Sequence, residues 1–152
     1  QHLFRLYNVQ ILVADAAMLN DFAAACDAIG FSAWRFTKDR TSGNGLKIVT
    51  HMQGANISFN GEKLCMPHSI RALEDRLREQ KVVIDDNRLT SICAFNAVIK
   101  TDALENQFFD KKRSSGRIDG LVTVAMAVGA AQYSHIFDTT SYIEREGRII
   151  GL

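Results

Sequence analysis

Three stretches of this chain predict an α/β domain. Residues 9–14 (VQILVA) are a short apolar run rich in β-branched side chains, the pattern of a buried strand parallel to its neighbour. Residues 16–29 follow at once, with Leu19, Phe22, Ala23, Cys26 and Ile29 at helical spacing and Gly30 closing the helix as its C′ residue. Residues 111–131 (KKRSSGRIDGLVTVAMAVGAA) join a basic run to an uncharged apolar stretch that reads as a buried helix. A strand ending in Asp, then a helix, then Gly is half of an α/β unit, and ligands of such units collect at strand carboxyl ends.

Composition narrows the field. The 152 residues fit one domain, and 47% hydrophobic against 23% charged side chains supply a real core. With a net charge of +1, any nucleic-acid contact must come from a local patch. Three scattered cysteines argue against a disulfide framework and for a reducing compartment. The four histidines have no metal-ligand spacing with one another or with the cysteines, which argues against structural zinc. No signal peptide, membrane span or internal repeat is evident. Residues 1–7 resemble the last turns of an amphipathic helix with Leu3, Leu6 and Tyr7 on one side and no capping signal before them, as expected of a piece cut from a longer chain.

The remaining elements follow in order. Asp15, at the carboxyl end of the first strand, reads equally as a helix N-cap or as a ligand. Residues 31–36 (FSAWRF) read as the next strand, and residues 38–45 (KDRTSGNG) as a surface hairpin or mobile loop. The Gly-Asn-Gly within it lacks the Gly-Lys-Ser/Thr of a phosphate loop. Residues 46–52 predict a strand ended by Gln53-Gly54, and Asn60-Gly61 a tight turn. Pro67 precedes Ser69, which reads as an N-cap. Ile70, Leu73 and Leu77 then share one helical face, and Glu74 with Arg78 forms an i,i+4 pair on the solvated one. Residues 82–84 suggest a short strand and residues 85–87 an acidic turn. Residues 88–100 read as a second apolar helix with Leu89, Ile92, Cys93 and Phe95, interrupted by Asn96. A buried Asn needs a partner, so Asn96 either supports a site from behind its ligands or makes a core hydrogen bond. Residues 101–110 read as a loop. Residues beyond 131 are only weakly periodic and suggest an extended tail or short strand.

The apolar helix of residues 111–131 is about four turns long, too short and too rich in Ala and Gly to span a membrane. Asp119 lies in its first turn, beside the four cations Lys111, Lys112, Arg113 and Arg117. There a carboxylate favours the helix dipole and needs no function. The same place also suits a metal bridging to an anionic ligand.

Four segments in their order resemble the C-terminal nuclease domain of tailed-phage terminase large subunits, the DNA-packaging motors. They are VQILVADAAML, Gln53-Gly54 before a Ser-initiated helix, FNAVIKTDALEN, and KKRSSGRIDGLVTVAMAVGAA. The likeness covers residues 1–131 as a nuclease domain, with residues 132–152 as a tail. It implies an RNase H-like α/β fold, a mixed sheet flanked by helices whose N-terminal strands lie outside this stretch.

The resemblance also implies a divalent-metal endonuclease that cuts concatemeric viral DNA, with two Mg²⁺ or Mn²⁺ ions held by three acidic positions. Asp15 matches the one at a strand tip, and Asp119 the one opening the last helix. Nothing here matches the remaining one, expected upstream of Gln1, nor the ATPase half, so the piece is expected to be incomplete. Residues 37–50 run longer than the family pattern, and Ala16-Ala17 stand where bulky residues are expected.

Two hard cations about 4 Å apart activate water and stabilise a leaving oxygen, and they select carboxylates over His or Cys. On this reading Lys111, Lys112, Arg113 and Arg117 meet DNA phosphates, Ser114 to Gly116 let that segment move, and Asn96 supports the ligands. The implied partners are double-stranded DNA, the ATPase domain of the same polypeptide, the small terminase subunit and the portal protein, in the cytoplasm of an infected bacterial host and away from membranes. The alternatives are a non-catalytic DNA- or portal-docking module of the same fold, or an RNase H-like junction resolvase.

Overall fold

The computed structural model describes residues 6–37, 39–54 and 64–132. The expectations for Leu3, Asn60-Gly61 and the tail beyond Gln132 fall outside them.

The first strand, β1 (Ile11–Asp15), runs into a single 3-10 turn (Ala16–Met18) and then α1 (Leu19–Ala28). Gly30 ends this unit at φ +64°, a left-handed conformation that a Cβ disfavours, as the C′ reading requires. Strands β2 (Ala33–Arg35) and β3 (Leu46–His51) complete a parallel sheet in the order β1-β3-β2. The register sets Val13 beside Val49 and Asp15 beside His51. The loop between β2 and β3 folds back over the sheet. Gly43 lies against Trp34, where a Cβ would come within 2.5 Å of the ring. Lys47 and Arg40 each stand 5.8 Å from that ring's centre.

Alternation along the strands divides the sheet faces. Ile11, Val13, Trp34, Phe36 and Val49 share one face and pack with Leu64 and Ala130. Above that face lie α2 (Met66–Arg78) and α4 (Asp119–Gln132), which pack closely on each other. Their joint core holds Met66, Ile70, Leu73, Ile118, Val122, Ala125, Met126 and Val128. Each fully buried aliphatic side chain there is worth roughly 1.5–3 kcal/mol of transfer free energy. Leu77, expected on the same face, is half exposed. The Glu74–Arg78 pair forms at 3.5 Å on the solvated side.

Four local expectations are corrected. Ser69 is not an N-cap: α2 starts earlier, with Cys65 at the cap position and Pro67 in the first turn. Proline suits that turn because it lacks the N–H that would go unbonded there. The second apolar helix stops at Asn96: α3 spans Arg88–Asn96, capped by the Asn87 side chain accepting from the Leu89 N–H. No residue of α3 is buried, and Phe95 is 91% exposed, because this short helix packs chiefly on α4. Nor are residues 101–110 one loop. An antiparallel hairpin pairs β4 (Ile99–Thr101) with β5 (Gln107–Phe109). Asp102 folds its turn by accepting from the N–H groups of Leu104 and Asn106, with Glu105 at φ +61°. Residues 82–84 form no strand.

Candidate metal and nucleic-acid site at the carboxyl edge of the sheet

Helix α4 runs antiparallel to the strands. Near its C-terminus Ala130 packs with Trp34 and Val49, whereas Gln53, just past the tip of β3, reaches the Met126 sulfur at 4.0 Å. Asp119 opens the same helix.

Asp15 stands at the carboxyl edge of the sheet, on the tip of β1. Its Oδ1 accepts from the Ala17 N–H at 3.0 Å, so the N-cap role is real. Among the described residues no hydrogen bond reaches Oδ2. Asp119 is exposed and faces Lys111, whose Nζ lies 3.5 Å from Oδ1. Gly129 lies against Ser69, whose hydroxyl bonds the register neighbour of Asp15. Asp15 thus ends β1 and Asp119 opens α4, a helix that packs against β1. No group of three His, Cys, Asp or Glu side chains able to hold a metal comes together among the described residues. The donors present are oxygens, the type a hard cation takes, but the set is incomplete.

The basic run is tied into the fold by hydrogen bonds. Asp110, almost fully buried, accepts from the N–H groups of Lys112 and Arg113 through Oδ1, and its Oδ2 is 3.7 Å from the Arg113 guanidinium. Ser114 Oγ donates to the Asp110 carbonyl at 2.7 Å and accepts from the Val98 N–H. Ser115 Oγ donates to Asn96 Oδ1 at 3.0 Å. A Cβ on Gly116 would lie 2.6 Å from Asn96 Nδ2, so the loop lies directly on the end of α3. Asn96 thus holds the cationic loop. The side chains of Lys111, Lys112, Arg113 and Arg117 all face solvent.

Sequence reasoning missed His51, Ser69 and Asp110. His51 is wholly buried at the tip of β3, on the same face as Asp15. Its Nε2 shares a 2.8 Å hydrogen bond with Ser69 Oγ. Among the described residues its Nδ1 makes no hydrogen bond of good geometry, and the Met52 backbone is its polar neighbour. The ring pKa is pushed down to about 4, chiefly by burial, while the Asp15 carboxylate and the Met52 backbone pull it upward. The alternation Lys47, Val49, His51 was the signal available in the sequence, since it puts His51 on the face of Val49.

Two clefts of about 370 and 450 Å³ lie elsewhere, both lined by Arg71 and Asp75 of α2. Neither includes Asp15, Asp119 or the basic run.

This architecture, a sheet edge with carboxylates and a wired cationic loop, belongs to the RNase H-like α/β class. The chain is a member of the family described as terminase large subunit, endonuclease domain, whose model matches residues 43–135. The matched stretch includes His51, Asn96, the basic loop and Asp119, and leaves Asp15 outside. The chain is 34% identical over 121 residues to the terminase large subunit of Enterobacteria phage HK97, covering 79% of this chain and 23% of that protein. The crystal structure of the HK97 large terminase is similar at a TM-score of 0.60 and 29% identity, over 79% of this chain and 21% of that one. The chain therefore spans under a quarter of the length of the curated relative it matches. No helix among the described residues is long and apolar enough to cross a membrane.

Proposed function

We propose that this domain is the divalent-metal-dependent endonuclease of a phage DNA-packaging terminase, hydrolysing phosphodiester bonds of concatemeric double-stranded DNA. The observation that supports the reading is that Asp119 opens a helix packed on β1 and α2, with Lys111 of a cationic loop held by Asp110 and Asn96 beside it. Family membership supports it. Asp119 and Asp15 would hold Mg²⁺ or Mn²⁺, with further oxygen donors from outside the described residues. Such ions supply an activated water and stabilise the leaving oxygen. Lys111, Lys112, Arg113 and Arg117 neutralise backbone phosphates, which gives affinity without reading sequence. The partners on this reading are double-stranded DNA, an ATPase domain of the same polypeptide, the small terminase subunit and the portal protein, in the host cytoplasm.

The rival readings are a non-catalytic docking module of the same fold and an RNase H-like junction resolvase. A nuclease assay on the intact protein separates the readings. Cutting of linear duplex with Mn²⁺ or Mg²⁺, abolished by EDTA, is the expected result. No cutting with either ion makes the domain a docking module, and preference for branched over linear DNA makes it a junction resolvase.

A further inference from the structure

His51 sits where three elements meet. It ends β3 directly beside Asp15, on the same face of the sheet. Strand neighbours in register stand about 4.8 Å apart, so a shift of His51 is a shift of Asp15. The imidazole is wholly buried, yet its bond to Ser69 Oγ spans the apolar layer to α2. Ser69, equally buried, is backed by Gly129 of α4, where a Cβ would fall on the hydroxyl. An apolar contact would let these elements slide over one another. A hydrogen bond between two buried groups fixes distance and direction, because there is no water to replace either partner.

From this we infer that His51 is a positioning residue for Asp15: clamped to Ser69 over Gly129, it sets where the Asp15 carboxylate stands when it takes a divalent cation. The inference rests on the proposed metal role of Asp15. Residues behind a metal ligand that fix its orientation commonly govern affinity by ten- to a hundredfold.

The test is the Mn²⁺ affinity of the intact protein, measured by electron paramagnetic resonance on folded variants, with no DNA present. His51→Leu keeps the bulk and loses the bond, and should bind Mn²⁺ about tenfold or more weakly. His51→Gln, whose amide can still reach Ser69, should recover most of that loss. Ser69→Ala removes the bond while leaving the imidazole, and should weaken Mn²⁺ in the same direction even if His51→Leu does not fold. Wild-type affinity in His51→Leu or in Ser69→Ala, while Asp15→Asn binds poorly, overturns the role of His51 alone. Wild-type affinity in Asp15→Asn overturns the role of Asp15 and this inference with it.

Discussion

Ser115 Oγ donates to Asn96 Oδ1 at 3.0 Å, which ties a loop of exposed cations to the last residue of a helix nineteen positions earlier. The basic segment is thereby presented in one shape to an incoming duplex, and less conformational freedom is lost when phosphates bind. Asn96→Ala should weaken binding of linear duplex about fivefold, the worth of one net hydrogen bond, with little change in melting temperature. Fluorescence anisotropy at fixed salt reads this. Unchanged affinity would mean that the loop does not need its anchor.

Of the four cations, Lys111 and Arg113 already face the carboxylates Asp119 and Asp110. Lys112 and Arg117 show no such pairing among the described residues and carry the cleaner test. Replacing both by Gln should lower the slope of log affinity against log salt by about 1.8, since each phosphate contact contributes about 0.9. A slope equal to that of the wild type would place the DNA elsewhere.

The buried imidazole predicts a pH dependence of folding. His51 has a folded pKa near 4 against an ordinary 6.5. Between those values the unfolded chain takes up a proton that the folded chain refuses, so stability falls as pH falls. The contribution is fully present above pH 6.5 and lost as pH approaches 4, and it amounts to about 3 kcal/mol. Denaturant unfolding of wild type and His51→Gln across this range isolates the term as their difference, and identical pH profiles would refute it.

How much of this was legible in the sequence depended on whether the signal was local. The β1–α1 unit, Gly30 as its terminator, the strand at residues 46–52 and the buried helix opening at Asp119 all follow from periodicity and end signals. Asn96 was conspicuous as a polar group in an apolar stretch, and its side chain accepts from Ser115 of the cationic loop. Ser69 misled because an N-cap and a buried hydroxyl use the same residue type. Pro67 was the better marker of where α2 begins. The hairpin of β4 and β5 was missed because three-residue strands carry too little alternation to detect. Phe95 was expected inside and lies outside, since apolar character alone does not say whether a neighbour exists to cover it. The His51–Ser69–Gly129 contact joins residues far apart in the chain, and no pattern of spacing encodes it.

Gly129 should be intolerant of any side chain. A Cβ there would fall on Ser69 Oγ and within 2.7 Å of Ser69 Cβ. Overpacking of this kind predicts a loss of about 1–3 kcal/mol for Gly129→Ala. Adding Ser69→Ala should restore little, because that Cβ remains in the way, whereas adding Ser69→Gly should restore more. Chemical denaturation of the three variants checks the order, and a Gly129→Ala protein as stable as wild type would contradict it.

The central claim is that this sheet edge cuts DNA through a cation held by Asp119. Its most direct test is cleavage of linear duplex by the intact protein in Mn²⁺, wild type against Asp119→Asn, with melting temperatures measured alongside. The account predicts that the variant folds as the wild type does and cuts at least about a hundredfold more slowly, as loss of a charge-stabilising group at a reaction centre would cause. An Asp119→Asn protein that cuts at the wild-type rate would contradict it.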